Sequence, residues 1–130
     1  MSDLLTEFRD HLAGVTGLTV GSNLFAGHMP DQSGLACGLF VTGGRTAPDN
    51  TAWRYTNIQV KVLAPPDDYD AGRILVFTIY AWYWGATNFT LPNYHVYYTR
   101  PIQPPYQLGL DERGRMEWVF NLEVMNRDKV

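Results

Sequence analysis

One cysteine is all that this chain of 130 residues contains. Cys37 alone cannot close an internal disulfide, so packing must hold the fold. Such cysteine usage predicts synthesis in a reducing compartment. Basic residues are scarce as well: 10 Lys and Arg stand against 13 Asp and Glu, for a net charge of −3. A protein whose main task is to grip nucleic acid needs a basic surface, and this composition does not supply one. No apolar run reaches the roughly 18 residues that a membrane span requires. The longest candidate, residues 74–84, is shorter and includes Thr78 and Tyr80. The first residues run acidic from Asp3 to Glu7, without the basic start of a secretory signal. We therefore expect a protein that is soluble in the cytosol when made and has no membrane partner.

Chemistry is equally sparse. His11, His28 and His95 lie far apart, and none has a Cys or His neighbour at metal-ligand spacing. Cys37 sits among Leu35, Leu39 and Val41, the setting of a buried, inert thiol. Asp67, Asp68 and Asp70 lack the glycine and the distal Glu of a calcium loop, and serve better as the acidic start of a helix. Gly43-Gly-Arg-Thr46 lacks the Gly-Lys-Ser/Thr ending of a phosphate-binding loop. Trp82, Tyr83 and Trp84 could stack on a ligand, but core packing with an interface edge explains them as well. We expect no catalytic site, no metal and no cofactor.

What the chain does have is alternation. From Arg115 to Met125, Met116, Trp118, Phe120, Leu122 and Val124 point one way, while Arg115, Glu117, Asn121 and Glu123 point the other. Ile58, Val60 and Val62 alternate likewise with Asn57, Gln59 and Lys61. Period-two patterning of this kind belongs to half-buried strands, because successive side chains leave opposite faces of a sheet. Two such strands predict an antiparallel sheet with one wet face. Helical spacing appears first at Leu4, Leu5, Phe8 and Leu12, with Ser2 or Asp3 as cap and Gly14 and Gly17 at the end. A second helix is expected from the acids at 67–70 to Gly85, with Ala71, Ile74, Leu75, Thr78, Ile79 and Trp82 on one face. Its composition between Ile74 and Tyr80 is rich in strand formers. The acidic start, the glycine stop and the length favour the helix.

Residues 18–20 could form a short strand, and residues 35–42 read as another, with Leu35, Cys37, Leu39 and Val41 on one face. Residues 27–34 and 43–50 read as loops, the second oversized against the usual hairpin connection of about 2–5 residues. A strand is expected over residues 94–100. Residues 101–109, with three prolines, read as irregular and partly extended. Asp111-Glu-Arg-Gly114 is a turn, and residues 126–130 a frayed tail. The expected architecture is α+β: one domain over residues 1–130, a mostly antiparallel sheet with both helices packed on one face. Four Trp, eight Tyr and six Phe are more than such a fold easily buries. Some should lie at an interface.

The order of elements resembles the tail-terminator, or tail-completion, proteins of long-tailed bacteriophages, also called minor capsid proteins. The likeness covers nearly the whole chain. It rests on the first helix, the Phe25-Ala-Gly-His-Met-Pro30 loop and the glycine-ended strand Phe40-Val-Thr-Gly-Gly44. It continues through the strand at 58–62 and the helix after Asp67-Asp-Tyr-Asp70. The closest part is the turn Pro104-Pro-Tyr-Gln-Leu-Gly-Leu-Asp-Glu-Arg-Gly-Arg115 leading into the last strand. The apolar second helix departs from the polar one of that family and implies an extra contact on its outer face. The resemblance implies a homo-oligomeric ring, usually of six copies, at the head-proximal end of the tail. Its expected neighbours are the tail-tube protein and a head-completion or connector protein of the neck, with DNA only as passing cargo. Exposed sheet edges and the oversized loop suit such contacts, which predicts an interface at Gly43, Gly44, Arg45, Asp49, Asn50, Asp111, Arg113 and Arg115. The competing readings are a head-completion or stopper protein and, in a different class, a small cellular ligand-binding domain.

Overall fold

The computed structural model describes residues 3–30, 34–46 and 52–129. Asp3 starts helix α1 (Leu4–Thr16) by accepting the Thr6 N–H at 2.8 Å. Gly17, at φ +78, ends it by donating to the Ala13 carbonyl. Ser2, the other cap considered, lies outside the described residues. Strands β1 (Leu24–Ala26), β2 (Ala36–Thr46) and β3 (Arg54–Leu63) follow, then helix α2 (Tyr69–Tyr83). The Asp68 carboxylate accepts the Ala71 N–H at the start of α2. Strands β4 (Thr87–Thr90), β5 (Tyr94–Pro101), β6 (Tyr106–Leu110) and β7 (Met116–Asp128) complete the chain.

The seven strands form one sheet in the order β1-β2-β3-β7-β5-β4, with β6 paired to β7 beside the end of β5. Only β1 with β2 is parallel. Both helices lie on one face of this sheet. The core joins Leu4, Phe8 and Leu12 of α1 and Leu75, Val76, Ile79 and Tyr83 of α2 to Ile58, Val60, Val62, Trp118, Phe120, Leu122 and Val124. The alternation in β3 and β7 thus points as the sequence indicates, and the α+β architecture stands. Gly72 lets α2 pack closely on the sheet. A Cβ there would meet the Ala64 methyl at 2.7 Å and the Trp118 ring at 3.2 Å.

Several local expectations are corrected. Residues 18–20 make no strand; Val20 forms only an isolated bridge to Leu24. β2 runs on through Gly43, Gly44, Arg45 and Thr46, which pair with residues 54–57, so the expected loop begins as a ribbon. Gly43 and Gly44 have φ of +136° and +153°. A side chain at Gly44 would strike the Tyr55 carbonyl, so glycine here bends the strand. Val41 keeps the helix-side place opposite buried Ile58, yet it is 53% exposed; the register shifts only after it, between Val41 and Gly43. The buried face of α2 is Gly72, Leu75, Val76, Ile79 and Tyr83, not the face through Ile74, Thr78 and Trp82. Both sides of this helix are apolar, which removes the contrast that periodicity needs. β4 was not anticipated, and β6 occupies part of the stretch read as irregular. β7 continues through Asn126, which is fully buried, so the tail is strand and not frayed there.

Candidate assembly surface

The helix-free face of the sheet carries the side chains that point outward from β2, β3, β7 and β5. Register brings them into rows. Arg45 stands opposite Tyr55, which stands opposite Met125; Asn57 stands opposite Glu123, which stands opposite Arg100. Glu123 is the centre. Its carboxylate accepts the Tyr98 hydroxyl at 2.8 Å and Arg100 Nη2 at 3.1 Å, with Arg45 Nη2 at 3.8 Å. The Arg45 guanidinium lies 3.8 Å over the Tyr55 ring. Glu123 is only 8% exposed, and a carboxylate withdrawn from water needs partners of this kind. Burial, and then the bond to Glu123, push the Tyr98 hydroxyl up to about 12. Further along the face Lys61 pairs with Glu117 at 3.7 Å. Arg127 lies 5.1 Å over the Trp53 ring, and amides at Asn57, Gln59 and Asn121 fill the rows between these charges.

The second group of expected contact residues lies at the other end of β7, in the turn from β6. Asp111 Oδ1 accepts the backbone N–H groups of Arg113 and Arg115, both at 2.9 Å. Its Oδ2 receives Arg115 Nε at 2.8 Å and Nη2 at 2.7 Å. Hydrogen bonds from Arg115 hold the Asp111 carboxyl below the usual carboxylate range. Asp111 and Arg115 thus lock the turn itself, while Arg113 is exposed. Gly43, Gly44 and Arg45 do not meet this turn: they sit level with residues 123–126 of β7, whereas the turn sits beside Met116. Asp49 and Asn50 lie outside the described residues.

Sequence reasoning missed Glu123 as a hub, and also the partners that meet there, Tyr98 and Arg100. Tyr106, Leu108 and Leu110 were missed too: they leave β6 apolar and 42, 53 and 66% exposed. Ile74, Phe77 and Trp84 of α2 and its end are likewise exposed. The apolar excess of this helix was the one advance signal for them.

Cys37 is buried, and burial pushes its thiol up to about 12. Of the aromatic trio, Tyr83 belongs to the core while Trp82 and Trp84 are exposed. Trp84 borders a groove of about 410 Å³ with Tyr98, Thr99, Arg100 and Pro101. No three His, Cys, Asp or Glu side chains gather at metal-binding distance among the described residues. No described helix is long and apolar enough to cross a membrane.

His11 lies between the helices, its Nδ1 2.8 Å from the Tyr83 hydroxyl and its ring stacked 4.6 Å from Phe89. Burial lowers its pKa from 6.5. The unfolded chain then binds a proton more readily than the folded one. Stability is complete above about pH 6.5 and falls as the pH drops toward the folded-state value. Denaturant melts from pH 7.5 to 5 should show this slope, and His11→Gln should flatten it. An equal slope in the variant would place the effect elsewhere.

The fold is a small α+β domain with one polar sheet face and an exposed apolar strand, β6. The family model described as bacteriophage tail terminator protein matches residues 11–125, and the chain belongs to that family. A comparison with individual curated proteins returns no match. Membership makes the chain a structural component of a phage virion with a tail-terminator role.

Proposed function

We propose that copies of this chain close into a ring at the head-proximal end of the tail tube, in the neck of the virion. Six copies is the number that likeness to the family suggests. The ring stops addition of tube subunits and then offers its other side to the head-completion protein. One observation supports this reading beyond family membership: among the described residues, the sheet has unpaired strand edges on two different sides. A cyclic assembly uses heterologous contacts, in which one patch meets a different patch on the next copy. Two unlike open edges are material for such a contact. A symmetric dimer would need only one self-complementary patch.

The helix-free face fits the wall of a conduit. On this face Arg45 and Arg100 share the Glu123 carboxylate, Lys61 pairs with Glu117 and Arg127 lies over the Trp53 ring, so its cations are engaged by protein groups. The exposed apolar flank of α2 suits a protein neighbour, the tube or the head-completion protein. Gold-labelled antibody to the chain should mark the head–tail joint of intact particles. Label along the tube or at the distal tip would reject the placement.

A further inference from the structure

We propose that the seam between neighbouring copies is antiparallel strand pairing, with the outer edge of β6 in one copy joined to the far half of β2 in the next. This inference rests on the ring reading and specifies its contact. Among the described residues, β6 pairs only with β7, and β2 beyond Leu39 pairs only with β3. Each therefore presents a row of backbone donors and acceptors without a strand beside it. Such a row is a template for another chain.

The other two edges are poorer templates. β1 is three residues long. β4 is four residues long and is interrupted at Asn88, which takes φ +53° and drops out of the register with β5. Short, interrupted edges resist added strands.

Direction and side chains agree with the pairing. β2 runs antiparallel to β3, and β3 antiparallel to β7, so β2 runs with β7; β6 runs against it. A copy rotated about a ring axis thus brings β6 antiparallel to β2. Pairing Val41 with Leu110 also places Arg45 opposite Tyr106. Val41 and Leu110 both lie on the helix side of the sheet, while Arg45 and Tyr106 both lie on the other, as their partners in β3 and β7 require. Val41 and Leu110, 53 and 66% exposed, would cover each other. Arg45 would gain a second aromatic ring. Gly43, between them, leaves room for Leu108, since a glycine in a strand allows close approach.

The stagger agrees too. β6 lies beside residues 116–119 of β7, and the far half of β2 lies level with residues 123–126. That offset is roughly 20 Å along the strands, across roughly 19 Å for the four strands β2, β3, β7 and β6. The ratio corresponds to a strand tilt of roughly 45°, at the upper end of the range of closed barrels.

The test uses the whole chain and native mass spectrometry over rising concentration. Val41→Cys with Leu110→Cys should give disulfide-linked oligomers on mild oxidation, and each single variant should not. Cys37 is buried and remains as background. Leu108→Lys with Leu110→Lys should weaken oligomers at least tenfold while leaving the monomer's melting curve unchanged, since both side chains are exposed. Oligomers that survive the lysines and do not cross-link would overturn the seam and leave the ring standing. A chain that stays monomeric at every concentration, cysteine variants included, would overturn both.

Discussion

Trp118→Asp is expected to leave the chain unable to fold. Trp118 is 5% exposed near the start of β7. Its ring packs against Tyr69 and Phe77 of α2, with centroids at 5.5 and 6.1 Å, and lies under Gly72. Truncating such a residue costs about 3–5 kcal/mol. An unpaired carboxylate placed there adds several kcal/mol more, or takes up a proton and loses its hydrogen bonds. Domains of this size hold about 5–15 kcal/mol in total, so the loss is comparable to the whole. β7 is also the strand to which β3, β5 and β6 all pair, so no part of the sheet escapes the effect. Trp118→Phe keeps a ring in the same place and should retain a cooperative melt. Circular dichroism against temperature separates the two variants. A soluble Trp118→Asp protein with a sharp transition would mean that Trp118 is not the floor beneath α2.

Alternation made that prediction possible before any fold was known. In β3 and β7 the alternating apolar residues Ile58, Val60, Val62, Trp118, Phe120, Leu122 and Val124 take the helix-covered side, so sequence and burial agree there. α1 was equally readable, because Leu4, Phe8 and Leu12 are separated by charged residues and closed by Asp3 and Gly17. α2 gave its type but hid its orientation. Ile74, Phe77 and Trp84 are as apolar as Leu75, Val76 and Ile79, although only the second set is buried. Gly43 and Gly44 suggested a loop, yet they bend a paired strand. Glycine marks a backbone conformation, and register decides whether it is a turn or a bend.

The surface was less legible than the core. Alternation correctly placed Glu123 on the helix-free side, and that side was taken as wet. Yet Tyr98 and Arg100 arrive from β5 and Arg45 from β2, and together they enclose its carboxylate. No local pattern reveals partners that only strand order brings together. Asp111 and Arg115 are expected as contact residues of a ring. The structure pairs their charges with each other, while Arg113 and the apolar side chains of β6 are exposed.

Tail length in a phage lacking this chain tests the central proposal most directly. Tube subunits present the same surface after every addition, so nothing in the tube itself marks its end. Growth stops when a different subunit covers that surface, and the same cover must carry the site to which a filled head attaches. Without it, tails seen by electron microscopy in lysates should vary in length, extend past the normal value and remain separate from heads. Heads should still fill with DNA. A copy of the gene supplied in trans should restore uniform joined particles, while a copy carrying Leu108→Lys and Leu110→Lys should not. Tails of normal length that fail to join heads would point to a stopper protein acting after termination. Tails of normal length joined to filled heads would contradict the account.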